Sequence, residues 1–196
     1  MTENSGDSIH QRIAERVASL RAARGLSLDA LARHCGVSRS MISLIERGES
    51  SPTAVLLERL ATGLGVPLAT LFDAPVRAAD PVARRDAQPL WRDPACGYVR
   101  RSVSPSGTGS AIRIVEIDFP PGARVGYDNA LPGPPLHQQI WMLEGTMEIQ
   151  LGQVLHRLAA GDCLAHLLDQ PITYHNPGER PARYAVVVAG EAVHGR

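Results

Sequence analysis

Apolar residues recur at helical spacing through the first third of the chain and at alternating spacing after it, and this change of period predicts two kinds of structure. Ile13, Val17 and Leu20 define one face of a helix from Ile9 to Arg24, ended by Gly25. Ser27 is placed to cap a second helix carrying Leu28, Leu31, Ala32 and Cys35, and Gly36 closes it. Val37 leads to a second cap, Ser38, and a helix over 39–47 that buries Ile42 and Ile45 before Gly48. Pro52-Thr53 opens a helix with Leu56, Leu57, Leu60 and Leu64, ended by Gly65. Pro67 starts a last short helix, PLATLF. The pattern therefore predicts five helices, followed by a stretch that breaks it.

That break runs from Asp73 to Pro89, with Pro75, Pro81, Pro89 and the charge cluster Arg84-Arg85-Asp86, a composition suited to a linker. Beyond it, short β runs are expected at Gly97–Val103, Ala111–Phe119, Gln138–Leu143, Thr146–Leu151, Val154–Leu158, Cys163–Leu167, Ile172–His175 and Arg183–Val188. Turn signals such as Glu144-Gly145, Gly152-Gln153 and Ala160-Gly161 separate them. Six to eight short strands at this spacing imply an antiparallel barrel or jelly roll. The expected organisation is a flexible N-terminus over 1–8, a helical domain over 9–73, a linker over 74–89 and an all-β domain over 90–196.

Helix, Gly-containing turn, helix is the geometry that presents a second helix to the major groove of DNA. With Ile42 and Ile45 buried, Arg39, Ser40, Ser43 and Leu44 fall on the other side. Arg39 sits in the first turn, where its fork suits a guanine O6/N7 pair. Ser38, Ser40 and Ser43 are short hydrogen-bonding groups, and Leu44 suits a thymine methyl. Arg47 at the helix end is better placed for a phosphate than for a base. The competing reading is a plain helical hairpin with a solvated Arg/Ser face.

Composition narrows the picture without changing it. The 196 residues are 44% hydrophobic and carry 20 basic and 20 acidic groups, so indiscriminate nucleic-acid binding is disfavoured while one basic face remains possible. Residues 1–73 balance at eight Arg against eight Asp and Glu. Every basic residue apart from histidine is arginine, which reads as genomic base composition. The opening MTENSGDS has no apolar core and no run approaches a membrane span, so a cytoplasmic chain without membrane contact is expected. Cys35, Cys96 and Cys163 form no CxxC pair and read as small core residues.

On the motifs LRAARGLSLDALA, GVSRSMISLIERGESSPT and LERLATGLGVPLATLF, residues 9–72 resemble the phage-repressor-like (XRE) helix-turn-helix family. The resemblance implies a homodimer on a two-fold double-stranded DNA operator and a structural, largely buried ion pair between Arg21 and Glu46. One departure is that Leu28-Asp29 stands where the family often has a phosphate-contacting Gln.

Residues 120–188 resemble the cupin family through DFPPGARV, QQIWMLEGTMEIQLGQVLHRLAAGDCL and YHNPGERPARYAVVV. The resemblance implies a double-stranded β-helix, and helix-turn-helix followed by cupin implies a regulator whose barrel senses a small-molecule effector. Many cupins hold a metal through two His and a Glu in one motif and a His in the second. Anchored on Gly145, Gly161 and Asn176, those positions fall here on Gln138, Ile172 and either Pro132 with Pro134 or Leu131 with Gly133. His137 and His175 are near, but strand alternation turns them away from the site. No metal or other cofactor is therefore expected, and no catalytic Ser/His/Asp or Cys/His spacing replaces one. The chain is expected not to be an enzyme.

The effector site implied by this likeness is Gln138, Ile140 and Met142 on one strand with Ile172 and Tyr174 on another, an apolar lining with two polar handles. Glu116, Glu148 and His166 are further candidates on less certain faces. The expected function is a ligand-responsive transcriptional regulator. The alternatives are a cupin enzyme with an attached DNA-binding domain, or a constitutive or antitoxin-like DNA-binding protein whose barrel only dimerises.

Overall fold

The computed structural model describes residues 4–72, 80–108, 110–129 and 136–189. The chain divides into two compact units, Met1–Ala74 and Pro75–Arg196. The first is helical: α1 (Asn4–Ala23), α2 (Leu28–Cys35), α3 (Arg39–Glu46) and α4 (Ala54–Leu64). Each cap has its chemical reason. The hydroxyls of Ser27, Ser38 and Thr53 accept hydrogen bonds from the amides of Ala30, Met41 and Leu56 at 3.1, 3.2 and 3.2 Å. Gly36 takes φ 64°, a left-handed conformation that costs glycine nothing and lets α2 stop within one residue.

Ile13, Val17, Leu31, Ile42, Ile45, Leu57, Leu60, Leu64 and Leu71 form the core of this unit. The expected fifth helix is a 3-10 helix, Leu68–Phe72, instead of an α-helix. Five residues behind a proline are too few to build an α ladder, and the turn is held by Thr70 N–H to Pro67 O at 2.9 Å.

The second unit is antiparallel β. Its strands are β1 (Leu90–Arg92), β2 (Val99–Ser102), β3 (Ile112–Phe119), β4 (Arg124–Tyr127), β5 (His137–Glu144), β6 (Thr146–Leu151), β7 (Val154–Ala159), β8 (Cys163–Leu167), β9 (Ile172–His175) and β10 (Ala182–Ala189). Six make one sheet in the order β1-β2-β3-β10-β5-β8, and four make the other in the order β4-β9-β6-β7. A 3-10 turn, Arg85–Ala87, precedes the first strand inside the segment expected to be a linker. Two strands went unforeseen. β1 has three residues, too short to show alternation, and Gly126 interrupts the pattern of β4. Residues 73–79, which open the expected linker, and the Leu131–Pro134 positions of the first cupin motif lie outside the described residues.

Side chains join the sheets face to face. Tyr174 of β9 stacks on Tyr184 of β10 with ring centroids 6.0 Å apart, and Phe119, Ile140, Met142, Met147 and Ile149 are buried in the same unit. The turn after β9 is tied by Asn176, whose amide donates to Phe119 O and Arg180 O at 3.2 and 2.9 Å.

Candidate functional site

The helical unit presents α3 as the sequence predicts. Ile42 and Ile45 are buried, Arg39 and Ser40 are exposed, and Ser43 and Leu44 are half-buried. Ser38 is occupied as the cap, with its hydroxyl 3.2 Å from that of Ser40. The orientation of α3 is fixed from α1. Arg21 donates to both carboxylate oxygens of Glu46 at 2.6 and 2.7 Å and to Leu26 O at 2.9 Å. The pair is largely but not fully buried, with Arg21 and Glu46 21% and 11% exposed.

Sequence reasoning missed the acids on this face. Asp29 lies 3.4 Å from Arg39, with both side chains about two-thirds exposed. Arg47 is folded back on its own loop, donating to Glu49 at 2.8 and 2.9 Å and to Ser43 Oγ at 2.5 Å. The hydrogen bond from Arg47 holds the Glu49 carboxyl below its ordinary pKa, so it stays charged. The spacing Arg-x-Glu was the available signal. Arg39 and Arg47, the two arginines expected to meet DNA, thus each carry a local counter-charge.

In the β unit, Gln138, Ile140 and Met142 share the inner face of β5, and Ile172 and Tyr174 share that of β9; all five are buried. The two polar members are joined, the Gln138 amide donating to the Tyr174 hydroxyl at 2.8 Å. Three further tyrosines stand with them. Tyr98 and Tyr127 place their hydroxyls 3.1 Å apart, and Tyr184 packs against Tyr174. Burial pushes all four phenols above their ordinary range, so they are neutral donors at physiological pH.

His166 faces inward opposite Gln138, with Nδ1 2.8 Å from Leu167 O. Two other candidates belong elsewhere. Strand alternation turns Glu116 to the outer face, where Arg85, Arg101 and Arg183 surround it at 3.5, 3.8 and 3.9 Å. Glu148 is also outside, bonded to His175 Nδ1 at 3.0 Å and to Arg157 at 3.1 Å. His137 is exposed on the outer face of β5. Among the described residues, no three His, Cys, Asp or Glu side chains are grouped to hold a metal ion. Nor is any described helix long and apolar enough to cross a membrane.

Two units, one presenting a capped recognition-type helix and the other a pair of facing sheets, define the class of protein. Residues 12–73 match the helix-turn-helix domain family HTH_31. Over the whole chain, the structure is similar to an HTH_3 family transcriptional regulator from Vibrio cholerae, at 30% identity and a TM-score of 0.75, covering 94% of this chain and 98% of that one. The chain belongs to the helix-turn-helix transcriptional regulators, of the phage-repressor-like type that residues 9–72 resemble.

The HTH-type transcriptional regulator SutR of Escherichia coli is 43% identical over 75 residues, a match that spans 38% of this chain and 42% of SutR. A cupin domain of an XRE family regulator from Enterobacter cloacae is similar at 17% identity and a TM-score of 0.43, covering 48% of this chain and 97% of that domain. That last likeness is too distant to bear on function.

Proposed function

We propose that this protein is a cytoplasmic, homodimeric transcriptional regulator in which residues 9–73 read a two-fold operator and residues 90–196 form a cupin-type barrel that binds a small-molecule effector. Arg39 reads a base, Ser38, Ser40, Ser43 and Leu44 complete the contact surface, and Arg47 reaches phosphate once released from Glu49. Gln138, Ile140, Met142, Ile172 and Tyr174 line the effector site, which works without a metal or a catalytic step. The carrying observation is α3 itself: capped by Ser38, anchored through Glu46, and exposing Arg39 and Ser40 while its isoleucines are buried. Operator symmetry requires two such helices about one turn of DNA apart, hence the dimer.

Selection of bound sequences from a random duplex library by the full chain tests the first half. An inverted repeat should emerge, and Arg39→Ala should erase its enrichment. Recovery of no preferred sequence by the wild-type protein would overturn the assignment. For the second half, a metabolite library should contain a compound that raises the melting temperature and shifts operator affinity together. Turnover of such a compound would instead favour an enzyme.

A further inference from the structure

We infer that two copies of this chain associate through the outer face of the six-stranded sheet, the Trp141 ring of each seated on the small residues of the other. This rests on the reading that the protein is a homodimer, and it names the surface that makes it one.

The two faces of this sheet carry the inference. Its inner face is set by Val115 and Ile117 of β3, Tyr184 of β10, and Ile140 and Met142 of β5, all buried. The alternate positions point outward, and residues paired across antiparallel strands share a face. An antiparallel sheet covered on one side ordinarily turns polar residues to the other. Here the outward residues are apolar as well. Ile112 pairs with Ala189, Ile114 with Val187, and Ala185 with Trp141. Trp141, Ile112 and Ile114 are 52%, 50% and 37% exposed. They leave one apolar field across β3, β10 and β5, and a contiguous exposed field of this kind marks an interaction surface.

Shape, charge and size point to a second copy as the occupant. Trp141 stands beside small side chains, with Ala185 in register on β10 and Ala165 diagonal to it on β8. A bulky ring and shallow ground on one surface are self-complementary about a two-fold axis, because each copy then offers both halves of the contact. The charged border of the field carries both signs in contact. Glu116 is met by Arg85, Arg101 and Arg183, and Glu144 by Arg183. Two identical faces therefore meet without a field of one sign between them. At ordinary sheet spacings the face from β3 to β8 is about 19 Å wide and, over four outer rows, about 27 Å long, so two copies laid together bury about 1,000 Å², enough for a specific interface with good fit. Among the described residues of the helical unit, Val55 alone is a large apolar side chain left exposed, so the two-fold contact falls to the β unit.

The full chain should be followed by sedimentation over a dilution series, with tryptophan emission recorded on the same samples. The wild type should pass from dimer to monomer on dilution, and its emission should move to the red over the same range. Trp91 is 2% exposed, so that shift reports Trp141, and reading it in the wild type needs no variant to fold. Trp141→Arg and Ile114→Arg should each weaken the dimer a hundred-fold or more while the circular dichroism stays that of the wild type. Leu155→Arg, at an exposed position on the outer face of the other sheet, should leave the dimer intact. A dimer that survives both arginine variants on this face, or that dissociates with no change in emission, would overturn the surface and leave the dimer reading in place. A wild type that is monomeric at every concentration would overturn both.

Discussion

Gln138 and Tyr174 stand 36 residues apart in sequence and on different sheets, yet the amide of one donates to the hydroxyl of the other at 2.8 Å. Both are buried, at 6% and 5% exposure, so each satisfies a group that would otherwise be stranded away from water. The bond also couples the floor of the proposed effector site to the pairing of the sheets.

Removing one partner should therefore cost more than removing both in proportion. Gln138→Leu or Tyr174→Phe alone should lower unfolding free energy by about 1–3 kcal/mol, because an unsatisfied polar group remains. The double variant should lose clearly less than the sum of the singles in urea unfolding. Strict additivity would mean that the two side chains stabilise independently.

Glu46→Ala should destabilise the helical unit by about 2–4 kcal/mol, below the range for a fully buried pair because the pair keeps some solvent contact. The expected loss includes the two charge-assisted bonds from Arg21 and the cost of leaving its guanidinium sheltered. Glu46→Gln should recover part of it, since Gln still accepts a hydrogen bond. Thermal melts of the two variants against wild type measure both effects, and a wild-type melt for Glu46→Ala would remove the pair from the structural account.

At the proposed DNA face, Arg39→Ala should weaken operator binding by about 1–3 kcal/mol and leave random DNA nearly untouched. Glu49→Gln should act the other way. It removes the counter-charge at Arg47, so affinity for any duplex should rise and the salt dependence should steepen by about one counterion. Titrations at several salt concentrations separate the two behaviours, and an unchanged slope for Glu49→Gln would mean that Arg47 does not meet phosphate.

Gly63→Ala tests the packing that sets α2 against α4. A Cβ at Gly63 would lie 2.6 Å from Cys35 Cβ and 3.1 Å from the Cys35 backbone, so one helix must move. The overlap should cost about 1–3 kcal/mol despite the better helix propensity of alanine. A Gly63→Ala domain as stable as wild type would show that the helices are free to separate.

The outer-face cluster should give the β unit an acid limit. Hydrogen bonds from His175 and then Arg157 hold the Glu148 carboxyl below its ordinary value of 4.5. A depressed carboxyl contributes stability that is full above the unfolded value and is lost as pH falls through the folded one. Glu148→Gln should therefore lower stability slightly near neutrality, where the charged carboxyl contributes in full, and flatten the decline below about pH 4.5. Parallel pH profiles for variant and wild type would exclude Glu148 from the acid response.

Local chemistry wrote much of this molecule into its sequence. Ser27, Ser38, Gly36 and Gly48 bound their helices because a cap needs only the few residues beside it. The strands Thr146–Leu151, Cys163–Leu167 and Ile172–His175 were legible because alternation over four or more residues needs no distant partner. Inner placement of Gln138, Ile140 and Met142 follows from that same period of two. What no local pattern contains is which side chains meet. The Gln138–Tyr174 bond, the Asp29 counter-charge beside Arg39, and the arginines gathered around Glu116 all depend on strand pairing or chain return. β1 and β4 likewise exist by pairing with β2 and β9, since a three-residue strand and one broken by Gly126 carry too little pattern of their own. Sequence determined the elements because hydrogen bonding and periodicity act within a few residues. Tertiary structure decided the sites because a charge or an amide finds its partner through space.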